Sequence, residues 1–521
     1  MQLRWTASTW FWTLFVLRPA RPSADRPAGV SPPAAQHAPT VAVVGGGLAG
    51  LTVVHRLLSP GARLAAQGVD ADGDAAPLNA RVVLLERDDR LGGKILTESF
   101  DGFVVEAAAD SFLARKPWAR ALAEELGLGD ELVGSEPGWP RAFVRRAGAL
   151  VPFPDGLTGL VPTKMGPLWT SGILSPLGCA RVAMERWIPR RTSDRDETVA
   201  SFVRRRFGSE LYERLMQPLL GGLYGSSPEQ LSIAATFPVL VQAERESGSV
   251  TRGLRVQARP ESTGGPRPGA PFLSLRGGMG RLTEALEASI ESAERLQILR
   301  GTTVESVRRT PEGWTIDIEG RSPLFVSAVV ITTPAPLAAR LLVEHEDLVA
   351  ALRRIPFTST SVVTAAYDSA NFPRPLEGHG YLNPLSERRK VAGITWSSRK
   401  FAGRAPAGRV LLRGFIREPH LPPAGPEGDA RLLETLAEEL RDAVGLEAAP
   451  QWWRVFRWQN SMPGYTLGHL ERVRMIEDRV EALPGLFLAG CSYGGVGIPD
   501  TVRSGEQAAT RLMDHIATRR T

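Results

Sequence analysis

The chain has 521 residues, 43% of them apolar and 23% charged. These proportions exclude a disordered or fibrous protein and leave enough apolar side chains for about two to four cored units. The formal charge of +6 rests on 62 basic residues, only five of them lysines, and no basic run exceeds three residues, so it is a compositional bias and no nucleic-acid footprint. Cys179 and Cys491 stand far apart in the chain. They make neither a disulfide framework nor a metal cluster, which fits a reducing compartment such as the cytoplasm.

Residues 6–17 (TASTWFWTLFVL) form an apolar run behind Arg4, shorter than the ~20 residues of a membrane span. Together with the Pro-, Ala- and Arg-rich stretch behind it, this run reads as a flexible extension over residues 1–40. An interfacial anchor using Trp5, Trp10 and Trp12, or an export signal, are the alternatives.

Residues 41–51 (VAVVGGGLAGL) carry a short strand into G-x-G-x-x-G and on into a helical pattern. In such a turn Gly45 permits the tight reversal beside Gly46, Gly47 admits a pyrophosphate, and Gly50 lets helix and strand approach. The helix start faces the phosphates with its positive end. Residues 81–86 (RVVLLE) supply the second strand, and Glu86 is the acidic residue for a ribose hydroxyl. The interval from Gly50 exceeds the usual ~20 residues, and the Gly/Ala/Asp-rich stretch 59–80 reads as an insertion that accounts for it. Arg87, Arg90, Gly92 and Gly93 follow at once. Flavoenzymes of the glutathione-reductase and amine-oxidase type carry E-x-x-x-R-x-G-G here, and the resemblance points to FAD and away from NAD.

Further pieces of the same kind lie far along the chain. Residues 275–282 lead through a helix to a segment ending at Val304, and a strand follows at 328–331. Residues 486–490 end in Gly490, before Val496, Gly497 and Ile498 and a small-residue helix. A strand followed by glycines at a helix start is a backbone cradle suited to an isoalloxazine ring. Between these pieces, residues 362–367 and 410–415 are β-rich, residues 432–444 have a helical period, and residues 247–271 read as a Gly/Pro/Arg-rich loop.

The motifs in this order resemble the oxygen-dependent porphyrinogen oxidases of haem biosynthesis, in the form found in Gram-positive bacteria. The resemblance rests on residues 41–51, 86–94, 110–116 (DSFLARK), 161–164 (VPTK), 217–224, 232–238, 457–465 (RWQNSMPGY), 468–469 and 495–500 (GVGIPD). It implies an α/β protein with a Rossmann-like FAD-binding domain assembled from residues 41–105, 272–345 and 465–518. A helical unit over 106–235 would rest on a membrane, and an α+β substrate domain would take 236–271 and 346–464. It also implies a porphyrinogen and dioxygen as partners, with hydrogen peroxide released. No metal site or Ser-His-Asp triad is expected, because FAD carries the chemistry.

The substrate carboxylates call for cations, and Lys116 is the first candidate, with Arg115 its rival and Lys164 behind them. Trp458 and Val304 are assigned to the cofactor, though Trp458 also suits a pocket wall. His469 reads as a structural histidine before a proton carrier, and Glu106 and Asp110 as structural carboxylates before polar pocket members. Three features depart from the family pattern. Ala107, Ala108 and Ala109 stand where Arg-Gly-Pro is usual, Asp500 is followed by Thr501 where Cys is usual, and the 59–80 insertion is present. Two competing readings are an amine or carotenoid oxidase of the same superfamily and a non-catalytic porphyrin carrier. Between substrates, the motifs favour coproporphyrinogen III over protoporphyrinogen IX.

Overall fold

Strand Thr40–Val44 is apolar at every inner position, and that decides its place. A parallel strand covered on both faces reads as a continuous apolar run. It sits at the centre of a five-stranded parallel sheet, in the order Leu296–Leu299, Arg81–Leu85, Thr40–Val44, Ala328–Ile331, Leu486–Leu488. Val41 and Val43 point into a core shared with helices Leu48–Leu58, Gly280–Glu291 and Ile498–Thr518. Ala42 and Val44 point to the other face, against Val307, Trp314 and Ile316 of an antiparallel meander and helices Ala335–Leu341 and Glu346–Arg353. The computed structural model describes residues 38–59, 80–138, 141–158, 161–223, 226–257 and 270–518. The expected extension up to residue 37, residues 60–79 of the insertion and residues 258–269 of the expected loop lie outside them.

A second sheet has seven strands, in the order Trp452–Pro463, Phe357–Asp368, Arg409–Arg417, Val391–Trp396, Gly380–Leu382, Phe143–Arg146, Ala149–Pro152. Alternate residues of a strand face opposite sides. Val363, Ala365, Tyr367, Leu412 and Ile416 pack on one side against Leu432, Leu436 and Leu440 of helix Pro426–Val444. On the other side Ala366 and Leu411 meet Phe103 and Val105 of the hairpin Thr97–Phe100/Phe103–Glu106.

The third body is helical and differs from the expected boundaries. Residues 143–152 join the seven-stranded sheet, because Ala147 and Gly148, both at positive φ, close a tight hairpin between two strands. The helical core runs from Val161 to Leu254. Residues 238–257, expected with the substrate domain and in part as a loop, form helices Pro238–Ser247 and Val250–Gln257. Leu240, Ala243, Val250 and Leu254 bury against Phe202, Val203 and Leu215 of the helical unit, so their apolar spacing assigns them there. No helix among the described residues is long and apolar enough to cross a membrane.

Candidate active site

The turn after the central strand is built from backbone. Gly45 has φ +106°, and a Cβ on Gly50 would stand 1.9 Å from the Gly45 carbonyl oxygen, so helix and strand touch where only hydrogen fits. Gly46 donates its N–H to Glu86 Oε2 at 2.6 Å, and Asp88 donates to Glu86 Oε1 at 2.9 Å. The carboxylate is thereby fixed at the end of its strand. Gly92 donates to the Gly46 carbonyl at 2.8 Å, laying the second glycine pair against the first. A Cβ on Gly47 would meet nothing nearer than the Gly93 Cα, at 3.9 Å. Gly47 is thus not needed for packing. It borders open space flanked by a helix start, which fits a dinucleotide phosphate.

Other residues expected at the cofactor are distributed unevenly. Arg90 donates to the carbonyls of Leu91, Gly93 and Ile95, so it braces the glycine loop from behind. Arg87 is exposed and pairs with Asp88 at 3.3 Å. Val304 begins a strand next to Glu86, because Thr302 donates its N–H to the Glu86 carbonyl at 2.8 Å. Gly490 has φ +116° and donates to Ser504 Oγ at 2.9 Å. Val496 packs on the helical core, Gly497 stands 3.0 Å from Asp500 when given a Cβ, and Ile498 starts the last helix. Tyr465 holds this block together, donating to the Cys491 carbonyl at 2.6 Å and accepting from Gly495 N at 2.8 Å. His469 stacks on Tyr465 with ring centres 3.9 Å apart and bonds the Tyr493 carbonyl at 3.0 Å. Burial pulls its pKa down to about 4, which makes it a neutral structural histidine at neutral pH.

The expected substrate cations are placed differently. Lys116 directly precedes helix Pro117–Glu125, and its ammonium sits 2.6 Å from both oxygens of Asp500, so its charge is already matched. Arg115 and Lys164 are exposed. Asp110 is engaged as well: Lys400 Nζ is 2.8 Å from Oδ1, and Arg413 Nη1 is 3.4 Å from Oδ2. Burial opposes its charge, yet those two cations hold the carboxyl below its ordinary range. Glu106 is buried and accepts from Thr97 Oγ1 at 2.7 Å and Met279 N at 2.8 Å. Burial pushes its carboxyl up, against the pull of Arg404.

Trp458 belongs to the seven-stranded sheet. Its indole N–H donates to the Ala107 carbonyl at 2.8 Å, and Arg413 donates to the Ala108 carbonyl. The alanine segment is therefore held by side chains reaching from the sheet. Antiparallel partners share a face. One row across it holds Arg417, Thr360 and Trp458, the next Phe415, Val362 and Phe456, and the third Arg413, Thr364 and Arg454. An apolar row thus lies between two rows that contain arginine. Three residues past Trp458, the Ser461 carbonyl accepts from Lys94 Nζ, which joins this sheet to the glycine loop. Sequence reasoning missed Lys94, Arg413 and Arg417. The signal for the last two was the alternation Arg413, Phe415, Arg417 in an otherwise apolar strand.

A separate cleft of about 500 Å³ is lined by Glu136, Glu377, His379, Ser398 and Arg399. Its two carboxylates suit no polycarboxylate ligand.

Comparison with known proteins gives the family. The family model described as flavin containing amine oxidoreductase matches residues 58–513. The chain is 33% identical to the coproporphyrinogen III oxidase of Propionibacterium freudenreichii subsp. freudenreichii, over 92% of both chains. It is 32% identical to the protoporphyrinogen oxidase of Bos taurus, over 91% of this chain and 98% of that one. Among solved structures, a candidate protoporphyrinogen oxidase from Exiguobacterium sp. 255-15 superposes with a TM-score of 0.77 at 29% identity, covering 91% of this chain and 98% of that one.

Proposed function

Because the chain belongs to the flavin-containing amine oxidoreductase family, and within it to the porphyrinogen oxidases, we propose that it oxidises a porphyrinogen to the porphyrin in haem biosynthesis. It is an FAD-dependent oxidoreductase. Dioxygen is the acceptor, hydrogen peroxide the second product, and coproporphyrinogen III the preferred substrate. The observation that carries this reading is the end-to-end similarity to a coproporphyrinogen III oxidase, over 92% of both chains. The arginine-flanked apolar rows support it, since a macrocycle edged with propionates needs a flat apolar wall and nearby cations.

The chain's own contribution is binding and orientation. Gly47 and Gly93 would offer backbone to the pyrophosphate, and the Glu86 carboxylate, fixed by Gly46 and Asp88, would accept from a ribose hydroxyl. Bound FAD supplies two-electron acceptance from carbon and the return of electrons to dioxygen. Lys94, held at the Ser461 carbonyl, sets the glycine loop against the sheet end, and Trp458 fixes residues 107–110 over the sheet face. The partly buried Lys400–Asp110–Arg413 network keeps the segment from shifting. With Lys116 paired to Asp500, its part is to position the 110–116 segment against the last helix; Arg115 remains the cation of that segment open to a substrate carboxylate.

The test is an aerobic fluorescence assay of the yellow protein on coproporphyrinogen III and protoporphyrinogen IX in parallel. Porphyrin emission with about three peroxides per porphyrin, and a higher kcat/KM for coproporphyrinogen III, is the expected result. A flavin-loaded protein that oxidises neither removes the reading.

The helical unit suggests where the protein works. Trp169, Leu177, Met184 and Trp187 are exposed on consecutive short helices, Leu177 by 83% and Trp187 by 64%. Arg186 lies over the Trp187 ring at 3.9 Å. Aromatic and aliphatic tips beside arginines match the interface of an anionic membrane, and we propose peripheral contact there. Co-sedimentation with phosphatidylglycerol vesicles should fall in Trp187→Glu; unchanged binding would move the contact elsewhere.

A further inference from the structure

Arg417 is a cation without a counter-ion. Its guanidinium makes no ion pair or hydrogen bond among the described residues, and its Nε is shielded from solvent without a partner. Burial alone acts on it, pulling its pKa down with no carboxylate pulling back. The fully buried arginines among the described residues are treated differently, each having a carboxylate partner. Arg145 meets Glu439 and Asp442, Arg206 meets Glu185 and Glu244, and Arg413 has Asp110 and the Ala108 carbonyl. A half-buried charge left unmatched is costly, and the cost is relieved by a ligand that brings the opposite charge.

The position of Arg417 says where that ligand would lie. Thr360 is the cross-strand partner of both Arg417 and Trp458, so the three side chains share one row of one face. Neighbouring strands are ~4.8 Å apart, which puts Arg417 roughly 10 Å across the sheet from Trp458. Ser461, where Lys94 meets the strand, folds back on Trp458 and donates its hydroxyl to the Trp458 carbonyl at 3.0 Å. The adjoining row is Phe415, Val362 and Phe456. Beyond it Arg413, its guanidinium 5.2 Å from the Phe415 ring centre, also keeps a buried Nε without a hydrogen-bond partner. An aromatic strip is therefore flanked by one arginine tied to the protein and one that is free.

Resting on the porphyrinogen reading, we infer that Arg417 binds a peripheral carboxylate of the macrocycle, with the ring lying on the Phe415 row. A guanidinium is suited to this, since its fork accepts a carboxylate bidentately. It also gives the chain a substrate cation on the sheet at a site where residues 107–109 are alanines.

The test uses the FAD-loaded full chain and the product porphyrin, so that binding is read without turnover. Coproporphyrin III and its tetramethyl ester are titrated against the wild type, Arg417→Met and Arg417→Lys, following tryptophan quenching. The Met variant should bind the free acid about tenfold more weakly, with a flatter salt dependence, while the ester should bind both proteins alike. The Lys variant should recover part of the loss. Equal affinities of wild type and Arg417→Met for the free acid would overturn the inference, even if the enzyme turns over porphyrinogens. A wild type that binds the porphyrin through Arg417 yet oxidises no porphyrinogen would keep the inference and remove the function it was attached to. Flavin absorbance and Tm of each variant report folding; should the Met variant lose flavin, Arg417→Gln takes its place.

Discussion

The two sheets build their candidate sites from different parts of the chain. In the five-stranded parallel sheet the work falls to backbone: Gly45, Gly50 and Gly92 pack the turn where a Cβ would collide, Gly47 borders open space, and one carboxylate, Glu86, completes the candidate site. In the seven-stranded sheet it falls to side chains, with Arg413, Phe415, Arg417 and Trp458 set in rows by cross-strand pairing. A backbone site is intolerant of any added atom and indifferent to which residue could replace it. A side-chain site tolerates small changes and is altered by degrees.

That contrast is sharpest at Gly47. A Gly47→Val protein should fold as apoprotein, because a Cβ there meets only the Gly93 Cα at 3.9 Å, yet retain roughly a hundredth of the flavin. The ratio of flavin to protein absorbance after purification reads this. A fully yellow variant would break the cradle assignment. Next comes Gly50→Ala, where the new atom would stand 1.9 Å from a carbonyl oxygen. Stability should drop by about 3 kcal/mol or more, seen as a lower Tm in apo and flavin-loaded protein alike. If Gly50→Ala lost flavin while keeping its Tm, the division of roles between the two glycines would be wrong.

His469 offers a pH axis. Its folded pKa is about 4 against an ordinary 6.5. Above pH 6.5 it is neutral in both states and its full contribution is present. As pH falls from 6.5 towards 4 the unfolded chain takes up a proton that the folded one refuses, so stability declines, by on the order of 3 kcal/mol in all. Denaturant titrations at several pH values should show this slope in the wild type and a flatter one in His469→Asn. Parallel slopes would mean that the histidine is not the group responsible. The smallest effect belongs to the sheet. Trp458→Phe removes one bond to the Ala107 carbonyl, so about 1 kcal/mol of stability should go, with flavin content intact. Loss of flavin in that variant would bring Trp458 back to the cofactor.

The same contrast explains what could be read in advance. Glycines between a strand and a helix are local signals, and the strand, turn and helix over residues 41–51 could be read because their geometry depends on neighbours in sequence. The helices at 238–257 and the hairpin at 143–152 are local too, yet which body they join depends on Leu240, Val250 and Phe143 finding distant partners. The rows of the second sheet are set by registers between residues far apart in the chain. Lys116 could be recognised as a special lysine, but its pairing with Asp500 spans most of the chain and no local pattern announces it.

That Lys116–Asp500 bridge has a thermodynamic corollary. Asp500 packs over Gly495 and Gly497 at the start of the last helix, and Lys116 opens the helix that follows the 110–116 segment. Two regions joined by one ion pair share a free energy, and such sharing is reciprocal. Whatever flavin loading gains by ordering the start of the last helix is returned as protection of residues 110–116 from opening, and amide hydrogen exchange there should slow when the cofactor binds.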